Sequence, residues 1–217
     1  MVQAHDPAIA IVGPGNVGSA LARRFVAAGF SNVTFGVRSG GKIAELLAEF
    51  DGKVRAAEAP EAVAGAEIVF LAVPGPAAVA AAKGLGDLTG KIVVDCNNPL
   101  TWSAGPVWAP PPEGSITAAL AAALPGARVL KAFNTFGAEF HADPKLGDTV
   151  ADVFVAGDDA AAKQTLTQVI ARAGFRAIDS GPLRNAAVLE NLAVLWIHLA
   201  LVGGHGREVA FKLLARG

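Results

Sequence analysis

The six residues Gly13-Pro14-Gly15-Asn16-Val17-Gly18 carry three glycines at the spacing G-x-G-x-x-G. Such a string does chemistry when it closes a strand and opens a helix. The first glycine then permits a tight turn, the second lets a pyrophosphate approach the backbone, and the third lets helix and strand pack closely. The bare N–H groups of the helix N-terminus are the donors. Pro14 has no N–H, so donation falls to Gly15, Asn16, Val17 and their neighbours, with the Asn16 side chain able to help.

An acidic residue about 20 positions further on would hold the ribose 2′-hydroxyl of NAD. None is there: the second strand ends in Gly36-Val37-Arg38-Ser39, with Lys42 beyond. A guanidinium, a hydroxyl and an ammonium suit a 2′-phosphate, so NADP is expected in preference to NAD. Ligands of open α/β sheets bind beyond the carboxyl ends of the strands, which assigns the nicotinamide end to Pro74-Gly75-Pro76, Asn97-Asn98-Pro99 and Asn134-Thr135.

These residues need a scaffold, and the chain alternates between short apolar runs and helical periodicity. Strands are expected at Ala8–Val12, Asn32–Val37, Lys53–Ala56, Ile68–Val73, Lys91–Cys96 and Arg128–Phe133. Helices are expected at Ser19–Ala28, Lys42–Phe50, Ala77–Leu85 and Ile116–Leu124, the last capped by Ser115. Beyond Thr135 come a strand at Asp152–Ala156, a helix at Asp159–Ala173, a strand at Arg176–Asp179 and two closing helices. The expected fold class is α/β, a Rossmann-type doubly wound, mostly parallel sheet with a small C-terminal helical region. Residues 1–140 form the NADP-binding domain in this reading, and residues 141–217 an α/β extension.

The 217 residues carry 18 basic and 19 acidic side chains, so no broad basic field attracts a nucleic acid. The single cysteine, Cys96, excludes an intrachain disulfide and a multi-thiolate zinc site, and fits a reducing cytoplasm. Met1–Pro7 does not read as a signal peptide, and the longest apolar run, Leu192–Gly204, is shorter than the roughly 20 residues of a membrane span, so no membrane partner is expected.

The glycine loop, Gly36-Val37-Arg38-Ser39, Asp95-Cys96-Asn97-Asn98-Pro99, Lys131-Ala132-Phe133-Asn134 and Asp179-Ser180-Gly181-Pro182-Leu183 together resemble the NADP-dependent deazaflavin (factor 420) oxidoreductase family. The NADPH-binding domain of the six-transmembrane epithelial ferric reductases is similar to it. The resemblance spans essentially the whole chain. It implies hydride transfer between NADPH and a flavin-like ring, either deazaflavin or flavin. Gly15, Asn16, Val17, Arg38 and Ser39 would bind NADP, and the nicotinamide would lie near Val73, Pro74, Asn97, Pro99 and Phe133. It also implies a homodimer formed through the C-terminal helices, which accounts for the apolar Leu189–Leu201. The loop Trp102–Pro112, with two tryptophans and a triple proline, departs from the family pattern and is expected to overhang the acceptor.

Hydride transfer to such a ring needs no dedicated acid or base, and no catalytic side chain is assigned. Other chemistry would need a donor. Lys131 points either into the cleft or into a salt bridge, the bridge being preferred. His141 reads as a surface residue in preference to a proton donor, and His198 and His205 as packing or capping residues. Asp95 is expected to orient Asn97 or Lys131, and Cys96 to be an inert buried thiol. The rival readings are a non-catalytic NADP-binding redox sensor and an NADPH-dependent reductase of another small substrate.

Overall fold

The computed structural model describes residues 5–38 and 43–216. Six strands form one parallel sheet: β1 (Ile9–Val12), β2 (Val33–Val37), β3 (Val54–Glu58), β4 (Ile68–Leu71), β5 (Ile92–Asp95) and, after a hairpin of β6 (Leu100–Trp102) and β7 (Pro106–Trp108), β8 (Arg128–Lys131). Their order is β3-β2-β1-β4-β5-β8, so the chain winds outward from β1 in both directions. The helices are α1 (Asn16–Ala27), α2 (Ala44–Ala48), α3 (Ala59–Ala64), α4 (Ala78–Lys83), α5 (Ile116–Ala123), α6 (Ala138–Ala142), α7 (Ala160–Arg172) and α8 (Ala186–Ile197).

Period-two alternation on strands buried from both sides creates two cores. Ile9, Ile11, Phe70 and Val94 face one layer with Leu21 and Phe25 of α1 and Leu166 and Ile170 of α7. Ala10, Val12, Val69, Leu71 and Val93 face the other, with Val63, Ala82 and Leu120. The first core takes in Phe136, Phe140, Val153, Phe175 and Trp196, so much of the chain beyond residue 135 packs on the same hydrophobic mass as β1. Its strands, β11 (Asp152–Val155) and β12 (Arg176–Asp179), pair parallel with each other and meet the main sheet through an antiparallel bridge between Lys131 and Ala156.

Several sequence expectations need correction. Strands β4, β5 and β8 stop at Leu71, Asp95 and Lys131, short of the apolar runs that contain them. After β8 the chain turns at Phe133, whose φ of 59° is incompatible with a strand. The proline-rich loop contains the β6–β7 hairpin, joined through Ala104 at φ 48°. Its Gly105 lies close to His198 and Val202, so the hairpin runs along the C-terminal helix. Three further elements have no counterpart in the sequence expectations, namely α6, α3 and the small hairpin of β9 (Lys145–Leu146) and β10 (Thr149–Val150).

The two closing helices are one. A 3-10 turn at Leu183–Asn185 runs into α8 and then into a π-helical turn, His198–Val202. That 20-residue stretch, which contains an 18-residue window of mean hydropathy 1.6, has the length and composition of a membrane span, which the shorter Leu192–Gly204 run concealed. Its Ala186, Leu189, Glu190, Ala193 and Trp196 are nevertheless buried against the domain. The tail beyond it is tethered by the buried Asp152, which accepts from Lys212 Nζ, Arg176 Nε and the Leu213 amide.

Candidate functional site

Gly13 and Gly18 take the backbone roles that the spacing predicts. Gly13 has φ 101°, and a Cβ there would lie 2.4 Å from the Ala72 carbonyl oxygen. A Cβ on Gly18 would lie 2.0 Å from the Gly13 carbonyl oxygen and 3.1 Å from Ile11, so only glycine lets α1 sit this close to β1. Gly15 is different: a Cβ there meets nothing within 4 Å, and its φ of −79° suits any residue. Neither fold nor backbone demands glycine at that position, so the open space is a cradle that a side chain would fill. Gly15 is also the N-cap of α1, with no side-chain cap and no acid in the first turn. Helix geometry leaves the Asn16, Val17 and Gly18 amides without an intrahelical acceptor, because the Ser19 amide is the first to reach back, to the Gly15 carbonyl. Uncapped donors, a favourable dipole and free space fit a pyrophosphate.

At the end of β2, Arg38 is exposed and no carboxylate follows Val37. Ser39 and Lys42, the other two groups expected at a 2′-phosphate, lie outside the described residues.

The nicotinamide-end segments come together at the carboxyl ends of β4, β5 and β8, yet they differ in access. Val73 is half-buried and Pro74 exposed, whereas Asn97, Pro99, Phe133 and Asn134 are buried. Asn97 is turned inward, its backbone N–H and its Nδ2 each donating to Asp95 Oδ1 at 2.9 Å. Asn134 Nδ2 donates to Asn98 Oδ1 (2.9 Å) and to the Leu189 carbonyl (3.0 Å), while Asn98 Nδ2 donates to the Asn134 carbonyl (3.0 Å). Phe133 places its ring among Phe70, Phe136 and Phe175, so it shapes the floor of the core and presents no ring to the cleft.

Under these turns lies a buried charge cluster. Lys131 Nζ bonds Asp95 Oδ2 (2.9 Å) and Glu190 Oε1 (3.1 Å), so the bridge preferred for Lys131 is the one formed, and Asp95 holds both groups expected of it. Glu190 was missed. Its Oε1 accepts from the Ile116 amide and its Oε2 from Trp108 Nε1, while burial pushes its carboxyl above the usual range and Lys131 opposes that rise. A lone acid in the apolar run Ala186–Ile197 was the available signal.

His141 is buried, contrary to the surface position expected for it. Its Nδ1 lies 2.7 Å from the Gly137 carbonyl oxygen and its Nε2 2.8 Å from that of Phe133. Burial pushes its pKa down while the two carbonyls oppose that. His198 and His205 are exposed; His198 begins the π-helical turn. Burial pushes the Cys96 thiol far up, beyond the range of a reactive thiolate. Among the described residues no group of three or more His, Cys, Asp or Glu could hold a metal ion.

A cavity of about 800 Å³ opens at the amino ends of β4, β5 and β8 beside Phe30, Lys91, Arg128 and Arg172, away from the glycine loop. There Lys91 bonds the Ala64 and Ala66 carbonyls and Arg128 the Gly90 carbonyl. The uncapped donors are at the other end of the sheet, beyond the carboxyl ends of the strands, where ligands of such sheets bind.

A parallel sheet of this order, with a glycine-built anion cradle between β1 and α1, defines a dinucleotide-dependent oxidoreductase of the Rossmann class. Residues 8–99 match the family model described as NADP oxidoreductase, coenzyme F420-dependent. The F420-dependent NADP reductase of Methanothermobacter thermautotrophicus is 30% identical, over 92% of this chain and 91% of that protein. The rat metalloreductase STEAP3 is 31% identical over 87% of this chain, which spans 37% of the metalloreductase's length. In a crystal structure of a candidate F420-dependent NADP reductase from Arthrobacter sp. FB24, the TM-score is 0.86 and the identity 32%, covering 96% of this chain and 100% of the other. The chain belongs to this family of F420-dependent NADP oxidoreductases.

Proposed function

We propose that the protein transfers a hydride between NADP(H) and the deazaflavin coenzyme F420 or a closely related flavin ring. The observation that carries the proposal is the space at Gly15, reserved beside the uncapped amides of α1. The electrons belong to the two rings: hydride moves between nicotinamide C4 and the acceptor, which delocalises the charge itself.

The chain's part is to bind, orient and exclude water. Gly13 and Gly18 shape the loop; Gly15, Asn16 and Val17 hold the pyrophosphate. Arg38, with Ser39 and Lys42, binds the 2′-phosphate. Val73 and Pro74, with the turns at Asn97, Pro99, Phe133 and Asn134, enclose the nicotinamide, Phe133 by its backbone. Bringing two rings to contact distance can by itself supply several kcal/mol of barrier reduction.

In this reading residues 1–140 carry NADP, and residues 141–217 complete the acceptor side and the dimer. Val188, Leu195 and Val202 recur every seven residues along the last helix and are exposed, as are Trp102 and Val107 of the adjoining hairpin. A second copy of the chain would cover that face, which supports a homodimer with the helix Leu183–Val202 spent on protein contacts; the lone free cysteine fits a reducing cytoplasm.

The test is NADPH oxidation by the purified protein, followed by loss of nicotinamide absorbance, with coenzyme F420, FMN, FAD or riboflavin as acceptor and with NADH in place of NADPH. Rapid turnover with F420 is expected. Tight NADPH binding without turnover on any acceptor would overturn the proposal in favour of a sensor or a different substrate.

A further inference from the structure

The three charged side chains of the buried cluster are shut off from solvent, and stability is a weak reason for their presence. Burying an ion triad is costly, and apolar replacements of similar volume often serve a fold as well or better. The cluster's geometry gives a more specific reason. Lys131 Nζ has three N–H donors, and they go to Asp95 on β5, to Glu190 on α8 and, at 2.5 Å, to the carbonyl oxygen of Asn97. Asp95 in turn holds the Asn97 amide and side chain, and accepts from Thr117 Oγ1 at 2.8 Å. Both sides of Asn97 are therefore clamped from beneath by one ion pair.

The next peptide is the one that matters to the ligand. The Asn98 carbonyl oxygen lies where a Cβ on Gly75 would come within 2.3 Å, so the turn after β5 rests directly on the turn after β4. Asn98 also exchanges hydrogen bonds with Asn134 in the turn after β8. A rotation of the Asn97–Asn98 peptide is passed at once to both neighbouring turns, and these are the three turns that enclose the nicotinamide in the cofactor reading above.

We infer that Lys131 is a positioning residue for the nicotinamide half of the cofactor: through the Asn97 carbonyl it fixes the three strand-end turns in the arrangement that receives the ring. This inference rests on the proposed NADP site. Lys131 is remote in the fold from the α1 amides and Arg38, so its loss should spare the adenosine half.

The test compares NADPH with adenosine 2′,5′-bisphosphate, which has the adenosine and the 2′-phosphate but no nicotinamide, by calorimetric titration. The variant is Lys131→Met combined with Glu190→Gln, which removes the ammonium without leaving both carboxylates charged and unpartnered. NADPH binding is expected to weaken by about tenfold, the scale of one lost charge-assisted hydrogen bond, with the bisphosphate unchanged within about twofold. Turnover should fall as well. Equal weakening of both probes, or of neither, overturns the inference and leaves the cluster a structural pin. Wild-type protein that binds neither probe overturns the NADP site itself. If the double variant does not fold, Lys131→Arg keeps the charge but displaces the donor from the Asn97 carbonyl, and the same split between probes is expected; its absence refutes the positioning role.

Discussion

Two glycines three residues apart should respond in opposite ways to substitution. At Gly15 the backbone is at φ −79° and the Cβ position is empty to 4 Å, so Gly15→Val asks nothing of the fold. The new side chain occupies the space in front of the α1 amides. Losing one or two hydrogen bonds to a charged phosphate costs about 3 kcal/mol, a weakening of NADPH of roughly a hundredfold. At Gly18 even a methyl group lands 2.0 Å from the Gly13 carbonyl oxygen, so Gly18→Ala must push α1 away from β1. Overpacking of that kind costs about 1–3 kcal/mol, and in a chain of this length each kcal/mol lowers Tm by roughly 2–4 °C. Calorimetric titration with NADPH and a thermal melt of each variant separate the two effects. Gly15→Val should melt with wild type and bind poorly; Gly18→Ala should melt several degrees lower. Wild-type affinity in Gly15→Val, or a melt as low as that of Gly18→Ala, would refute the assignment of the loop.

Arg38→Asp is expected to weaken NADPH by about tenfold or more and to improve NADH relative to it, since a carboxylate repels a 2′-phosphate and accepts from a 2′-hydroxyl; unchanged relative KM values would remove Arg38 from the site. Asp152 is buried, yet its bonds from Arg176, Leu213 and Lys212 outweigh that burial and hold its carboxyl below the usual range. Its contribution is therefore present above the ordinary carboxylate pKa and is lost as pH falls through the lowered folded value. Urea unfolding should show Asp152→Asn clearly less stable than wild type at neutral pH, with the gap closing in acid; a pH-independent gap contradicts the ion pairing. Val188→Glu combined with Leu195→Glu should convert a dimer to a monomer in light scattering with little change in Tm, because both side chains are exposed in the single chain. Wild-type protein that is already monomeric would refute the dimer.

Much of this fold is legible in the sequence because its strands are continuous β-branched runs and its site glycines each have a backbone reason. Ile68 to Leu71 and Ile92 to Val94 can hardly be anything but strands buried on both faces. Arg176–Asp179 and the Ser115 cap, whose hydroxyl accepts from the Ala118 amide, are where the pattern puts them. What escaped depended on partners far along the chain. Glu190 meets Lys131 across 59 positions, and Trp108 meets Glu190 across 82, pairings that no local spacing encodes. His141 follows an apolar segment and nothing local marks it as buried; only the turn at Phe133 brings a carbonyl to its Nε2. The ends of β4 and β8 were overrun because apolar composition continues past the last paired residue, into the turns that form the site.

The parallel sheet has two edges, and neither offers a template for the growth of fibrous aggregates. On one side β3 is five residues long and turns the charged Arg55 and Glu58 to solvent. On the other, Lys131 at the end of β8 gives its amide to the Ala156 carbonyl and takes the Ala156 amide in return, which closes the ladder where it would otherwise continue. Charged short edges and capped ladders are how soluble proteins discourage strand-to-strand recruitment. In the homodimer proposed above, self-association would run instead through the exposed face of the last helix, where it can stop at two copies.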